Sequence, residues 1–225
     1  MDTIKDLQNI IVDRVEESKK SEVDLYKALG YFEEVISECF ELEINWINNK
    51  MEDHYAGMYK INWGVFDKTG DTSDYAKGIS QSFLSSAKIM KATLSPNFYL
   101  VFINRLIIAV PSSFIEHVYR NKRANEIASQ QFLVDVNDIK KNLATLIDTS
   151  LKYEQRMVDN YNNTLNKEIT KIEIRLKVLG YPLENLEEAY SMMVQDPTKD
   201  DFDKLLTLKG VKKNELGNYA LKAKY

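Results

Sequence analysis

Between Leu25 and Met51, apolar side chains recur at steps of three and four: Leu25, Leu29, Phe32, Ile36, Phe40, Ile44, Ile47 and Met51. A strand turns alternate residues to opposite faces, so a stripe of this spacing, held over many turns, fits only a long amphipathic helix. The same period returns at Ile79, Phe83 and Met90, and again at Val101, Phe102, Ile108, Phe114 and Val118. It continues at Leu133, Val136, Ile139 and Leu143, then at Tyr161, Leu165, Ile169, Ile172 and Leu176. Only 8 glycines and 4 prolines interrupt the 225 residues, too few turn formers for many short strands. The predicted fold class is all-α.

The breaks between stripes carry recognisable stop and start chemistry. Asn62 to Asp74 holds Gly64, Gly70 and several Asp and Thr residues, and reads as a loop pinned by Trp63 and Phe66. Ser95 followed by Pro96 supplies an N-cap and a proline in the first helical turn. Gly180 with Pro182, and later Gly210, read as C-terminal stops, with a last helix starting near Lys212. The polar stretch 148–150 is the expected boundary between two helical bundles, 1–148 and 149–225.

Several function classes are disfavoured by composition. The net charge is -4, and the acids concentrate in the first 60 residues, whereas a nucleic-acid binder needs a strongly basic face. Nucleic acid is not an expected partner. The apolar run from Phe98 to Ile115 is interrupted by Asn104, Arg105, Pro111 and two serines, so it reads as a buried helix and no transmembrane segment is expected. The single Cys39 has no intramolecular disulfide partner and is read as a small, reduced core residue.

Catalytic and metal chemistry find little support. A di-iron bundle needs Glu-x-x-His pairs, but Met51 precedes His54 by three residues and Phe114 precedes His117. Both histidines are therefore expected at the surface or at helix caps. Asp200, Asp201 and Asp203 resemble the acidic motif with which helical prenyl-diphosphate enzymes hold magnesium, yet no second acidic half exists; first-turn acids also complement a helix dipole. No metal, no cofactor and no enzymatic activity are expected. Two basic groups remain, Arg120 with Lys122 and Arg123, and Lys209 with Lys212 and Lys213. Both sit at helix C-termini, where cations suit the dipole, but both could also meet an acidic partner or an anionic lipid surface.

Four stretches carry a resemblance. Phe114-Ile115-Glu116-His117-Val118-Tyr119-Arg120-Asn121-Lys122, preceded by the proline-containing helix, is similar to a segment of the vacuolar protein sorting-associated protein 53 family. Leu133-Val134-Asp135-Val136-Asn137-Asp138-Ile139-Lys140 resembles the segment that follows it there. Leu205-Leu206-Thr207-Leu208-Lys209-Gly210-Val211-Lys212-Lys213-Asn214-Glu215 resembles the family's C-terminal arrangement of Lys-Gly, an apolar residue, a basic pair and Glu. Met58-Tyr59-Lys60-Ile61-Asn62-Trp63, with Gly70-Asp71 and Tyr75, is a looser fourth match.

The resemblance implies the C-terminal region of a non-catalytic subunit of the Golgi-associated retrograde protein complex. Such a tether acts in retrograde transport from endosomes to the trans-Golgi network, peripherally on the cytosolic face of those membranes. It implies an elongated rod of two consecutive helical bundles, like exocyst-type tethering subunits. The implied partners are the other subunits, reached mainly through N-terminal segments, and vesicle or fusion-machinery proteins, a small GTPase or an anionic lipid surface. The residues expected to face a partner are Lys209, Lys212, Lys213, Arg175, Lys177, Arg120 and Lys122. The alternatives are a helical membrane-surface or scaffold module of another pathway, and a magnesium-dependent helical enzyme using Asp200, Asp201 and Asp203.

Overall fold

The computed structural model describes residues 2–22, 25–147, 153–219 and 221. Eight α-helices are described: α1 (Asp2–Arg14), α2 (Tyr26–Tyr59), α3 (Asp74–Thr93), α4 (Pro96–Tyr119), α5 (Glu126–Ala144), α6 (Gln155–Leu179), α7 (Leu186–Met193) and α8 (Lys199–Leu208). No strand occurs among the described residues. The all-α class follows from the 3.6-residue period, as expected.

The chain divides into two compact units, Met1–Trp46 and Ile47–Tyr225, with the division inside α2. In the first unit Leu29, Phe40 and Ile44 are buried, while Phe32 is 55% exposed and Cys39 is exposed. The core position assigned to Cys39 is thus corrected. One residue turns a helix by about 100°, which carries Cys39 away from the stripe that Phe40 occupies. A period marks a face but does not guarantee that a neighbour covers it.

In the second unit Ile47, Met51, Tyr55 and Met58 are fully buried and continue the stripe. Phe102, Leu106, Val110, Phe114 and Val118 place α4 in the core, where it packs on α3, α5, α6 and α8. By length and composition α4 alone, among the described helices, could cross a membrane, but half of its most apolar window is buried inside the protein. Val101 and Ile108, expected inward, are 42% and 47% exposed. Apolar residues run nearly all round α4, so spacing alone could not choose its buried face.

Residues 148–150 lie outside the described residues, but helices on both sides of them belong to the one compact unit. The stripe Tyr161, Leu165, Ile169, Ile172 and Leu176 is buried as α6 lies along α4 and α5. The Tyr161 hydroxyl donates to the Leu143 carbonyl at 2.7 Å, closing the end of α5 from the far side of the expected boundary.

Helix ends follow local chemistry. Pro96 opens α4 after Ser95, Asn125 Oδ1 caps α5 by accepting from the Ala128 amide at 2.8 Å, and Thr198 Oγ1 accepts from the Asp201 amide. After α8, Gly210 has φ +96°, the Gly210 amide donates to Thr207 O, and the Val211 amide donates to Leu206 O. This is a Schellman stop, and only glycine takes that conformation without strain. Gly180 ends α6 differently, with φ -72°; a Cβ there would lie 2.8 Å from the Ser129 hydroxyl, so close approach of α5, not a left-handed turn, requires glycine. The last helix expected near Lys212 is a short 3-10 turn, Leu216–Asn218.

The crossing of α2 and α3 rests on Gly78, because the imidazole of His54 fills the space a Cβ would need. Gly78→Ala is expected to destabilise the protein by about 1–3 kcal/mol through overpacking. The loss should shrink in a His54→Ala background, read by urea unfolding. An equal loss in both backgrounds would mean that the ring is not the obstacle.

Candidate functional site

The loop 120–125 leaves the C-terminus of α4 and is pinned at three points. The Ala124 amide donates to Leu208 O at 2.8 Å, the Asn125 amide to Trp63 O at 3.0 Å, and Asn125 Nδ2 to Phe66 O at 2.6 Å. Trp63 is buried among Phe66, Tyr75 and Phe132, and its Nε1 donates to Met58 O. The loop therefore ties the segment after α2 to the end of α8. This brings the two basic groups to one end of the unit. Arg123 passes between two glycines: a Cβ on Gly64 would meet its methylenes at 3.4 Å, and one on Gly210 its Nε at 3.2 Å.

The expected partner-facing residues divide into three fates. Arg120, Lys122, Lys212 and Lys213 are exposed and make no ion pair among the described residues. Lys209 is half-buried, and burial, with Arg123 adding to it, pulls its ammonium pKa down against the attraction of Glu126 and Glu184. Lys177 is exposed on α6. Arg175 is committed internally: its Nε donates to Asp201 Oδ2 at 2.8 Å, near the start of α8, and its Nη1 donates to Lys171 O. The structure does not bring Arg175 to the end of α8 that carries Lys209.

The acidic triplet is also absorbed by the fold. Asp201 accepts from the hydroxyls of Tyr119 at 2.7 Å and Tyr190 at 2.9 Å as well as from Arg175. Asp200 pairs with Lys204 and Asp203 with Lys199, and Lys204 reaches on to Glu116 on α4. Three carboxylates thus face three different cations, the opposite of the convergence that a magnesium site needs. Burial and the neighbouring Asp201 carboxylate push the Tyr119 phenol far above its ordinary range, so it stays a donor.

His117, expected at the surface or a cap, is buried at 3% exposure. Its ring stacks on Tyr55 at 3.6 Å, its Nε2 lies 3.2 Å from Glu52 Oε1, and Nδ1 meets the Tyr59 hydroxyl. One tautomer satisfies all three groups: Nε2–H donates to Glu52 and Nδ1 accepts from Tyr59. Nothing in the spacing shows this, since Glu52, Tyr59 and His117 come from two helices far apart in the chain. Burial holds the imidazole below its ordinary value of 6.5 against the attraction of Glu52. A depressed folded pKa means the folded chain binds the proton less readily than the unfolded one. Its contribution to stability is therefore lost as pH falls below 6.5 toward the folded value. Acidification from about pH 7 to about pH 5.5 should therefore narrow the stability gap between the native chain and His117→Gln. A gap that is constant or widens in urea titrations would refute the assignment.

Asp135, inside one of the recognised stretches, is fully buried. It accepts from the Ser73 amide at 2.8 Å, the Ser73 hydroxyl at 2.9 Å, the Tyr75 hydroxyl and Gln131 Nε2 at 3.2 Å. Gln131 in turn accepts from the Gly70 amide and donates to Asp71 O. The Gly70-Asp71 and Tyr75 elements of the sequence pattern are thus the loop that Gln131 and Asp135 hold.

Residues 130–211 match the family described as Vacuolar protein sorting-associated protein 53 C-terminus. The chain is 25% identical over 191 residues to Vacuolar protein sorting-associated protein 53 A of Arabidopsis thaliana, covering 85% of this chain and 23% of that protein. It is 22% identical over 209 residues to the Vacuolar protein sorting-associated protein 53 homolog of Caenorhabditis elegans, covering 89% and 26% respectively. The chain thus spans about a quarter of the length of these curated relatives. No solved structure matches it.

Proposed function

We propose that this chain, the C-terminal region of a vacuolar protein sorting-associated protein 53 family member, is a non-catalytic binding module of a multisubunit vesicle tether. In this reading it acts in retrograde transport from endosomes to the trans-Golgi network, peripherally on the cytosolic side. Other subunits are met through chain outside these 225 residues, and the basic end of the second unit meets a vesicle or fusion-machinery protein, a small GTPase or an anionic membrane.

The observation that carries the proposal is the convergence of Arg120 and Lys122 with Lys209, Lys212 and Lys213 on one end of the unit. Loop bonds hold the two segments together, and four of these five cations have no ion-pair partner among the described residues. Arg175 drops out of this surface because Asp201 holds it, and Lys177 stays as a flanking cation on α6. Exposed charges of this kind speed encounter and set register more than they stabilise a fold.

The test replaces Lys209, Lys212 and Lys213 with Glu in the native protein and scores subunit assembly, melting temperature and retrograde sorting separately. Assembly should be retained, the melting temperature should shift little, since Lys212 and Lys213 are exposed, Lys209 is only half-buried, and lysines so placed contribute about 0.5 kcal/mol each or less, and sorting should fall. Normal sorting would reduce the patch to solvated helix ends.

A further inference from the structure

A cleft of about 350 Å³ opens between the segment Tyr59–Trp63, leaving α2, and the segment Arg120–Arg123, leaving α4. Its floor includes buried Trp63 and Asn121, and Lys60, Arg120, Lys122 and Arg123 line it with no carboxylate among the lining residues. Helix C-termini attract cations, which accounts for Lys60 and Arg120. Lys122 and Arg123 lie beyond the end of α4, and gathering four like charges around one small space is unfavourable unless a counter-charge is supplied. Another groove of similar size, about 300 Å³ between α4, α6 and α8, shows the contrast. Its acids Glu168 and Asp201 pair with Lys171 and Arg175, and Lys204 reaches Glu116 from α8, so each acid there has a counter-charge.

The walls of the basic cleft are set before any ligand arrives. Tyr59, which lines the cleft with Arg120, is fixed from the inside by His117. Arg123 is confined between Gly64 and Gly210. A guanidinium held in place among ammonium groups suits a compact tetrahedral anion, and preorganisation spares part of the entropy of gathering them. At the small end of ligand-site volumes, the cleft accommodates a single phosphorylated ring better than an extended peptide. Val65 follows the wall directly and is 70% exposed. An apolar side chain beside a basic cleft matches a membrane interface, with the charge at the headgroups and the apolar group below them.

We propose that this cleft binds the phosphomonoester of a membrane lipid headgroup, with Lys60, Arg120, Lys122 and Arg123 as its cations and Val65 as the apolar contact. Its membrane setting rests on the tethering reading above. The test is flotation of the 225-residue chain with three kinds of vesicle: phosphatidylcholine alone, with phosphatidylserine, and with a phosphatidylinositol monophosphate matched to the serine lipid in surface charge. Soluble inositol bisphosphate is titrated in parallel. Binding to the monophosphate vesicles should exceed the charge-matched serine vesicles by about tenfold, the scale of one charge-assisted hydrogen bond. Lys60→Glu with Lys122→Glu should abolish that preference at unchanged melting temperature, while Lys88→Glu with Lys167→Glu, the same change in net charge at exposed lysines of α3 and α6 outside the cleft, should keep it. Val65→Asp should weaken vesicle binding and spare soluble inositol bisphosphate. Equal binding to the two charge-matched vesicles, equal loss in both double variants, or binding of soluble inositol bisphosphate or a phosphopeptide without vesicle binding would each overturn the proposal. Failure here leaves the sorting phenotype of the Lys209, Lys212, Lys213 variant standing, and a normal sorting phenotype there leaves the lipid preference standing, so the two readings fail separately.

Discussion

Asp201→Ala is expected to lower the unfolding free energy by about 3–5 kcal/mol, the scale for removing one partner of a largely buried ion pair. The carboxylate is a point where α4, α6, α7 and α8 meet: Tyr119, Arg175 and Tyr190 all donate to it, and its own amide is capped by Thr198. Removing it leaves a guanidinium at 23% side-chain exposure without its counter-ion and the Tyr119 phenol without its acceptor, while Tyr190 keeps only the Thr198 carbonyl at 3.2 Å. Asp201→Asn keeps an acceptor and should fall between the native chain and the alanine variant. Arg175→Ala should also lose stability, which separates its structural role from the partner-facing role expected of it. Urea unfolding with unchanged slope would read all three. A loss of less than about 1 kcal/mol for Asp201→Ala would show that water replaces the lost bonds.

How legible this was in the sequence depends on the interaction's range. Helix stops such as Gly210, and starts such as Ser95-Pro96 at α4, are decided within a few residues, and local chemistry reads them correctly. The stripe on α6 was equally plain, because its polar face leaves only one side to bury. Long-range polar pairings were not legible. Asp201 looked like part of an acidic motif because nothing local shows that Tyr119, Arg175 and Tyr190 converge on it. His117 looked like a surface residue because Glu52 and Tyr59 reach it from another helix. The basic site was half visible: runs of Lys and Arg are easy to see, but Lys60 joins them only once the loop 120–125 is tied back to Trp63. Cys39 failed for a different reason, since sequence spacing cannot tell a helix position in the stripe from one beside it when the apolar band is broad.

Asp135→Ala should produce a loss of similar size, roughly 3–5 kcal/mol, by a different route. Here the carboxylate has no cation; it is fully buried and held by hydrogen bonds from Ser73, Tyr75 and Gln131. Deleting it strands an amide and two hydroxyls around a fully buried position, costs Gln131 one of its acceptors, and releases the start of α3 from α5. The pH dependence distinguishes this site from an ion pair. Burial raises the Asp135 pKa above 3.8, and the four donors only partly oppose that rise. A carboxyl whose folded pKa is raised contributes stability that is fully present below the unfolded value of 3.8 and is lost as pH climbs through the folded value. Asp135→Asn removes that titration and keeps one acceptor, so the native chain should be most favoured over it at acid pH, with the advantage declining as the pH rises. An ion-paired carboxylate would show the reverse, gaining on its amide variant with rising pH. Unfolding free energies of the pair, measured by urea titration from about pH 3 to about pH 7, separate the two cases. A native advantage that grows with pH would mean that a cation, not the hydroxyls and amides around it, holds this carboxylate in the folded protein.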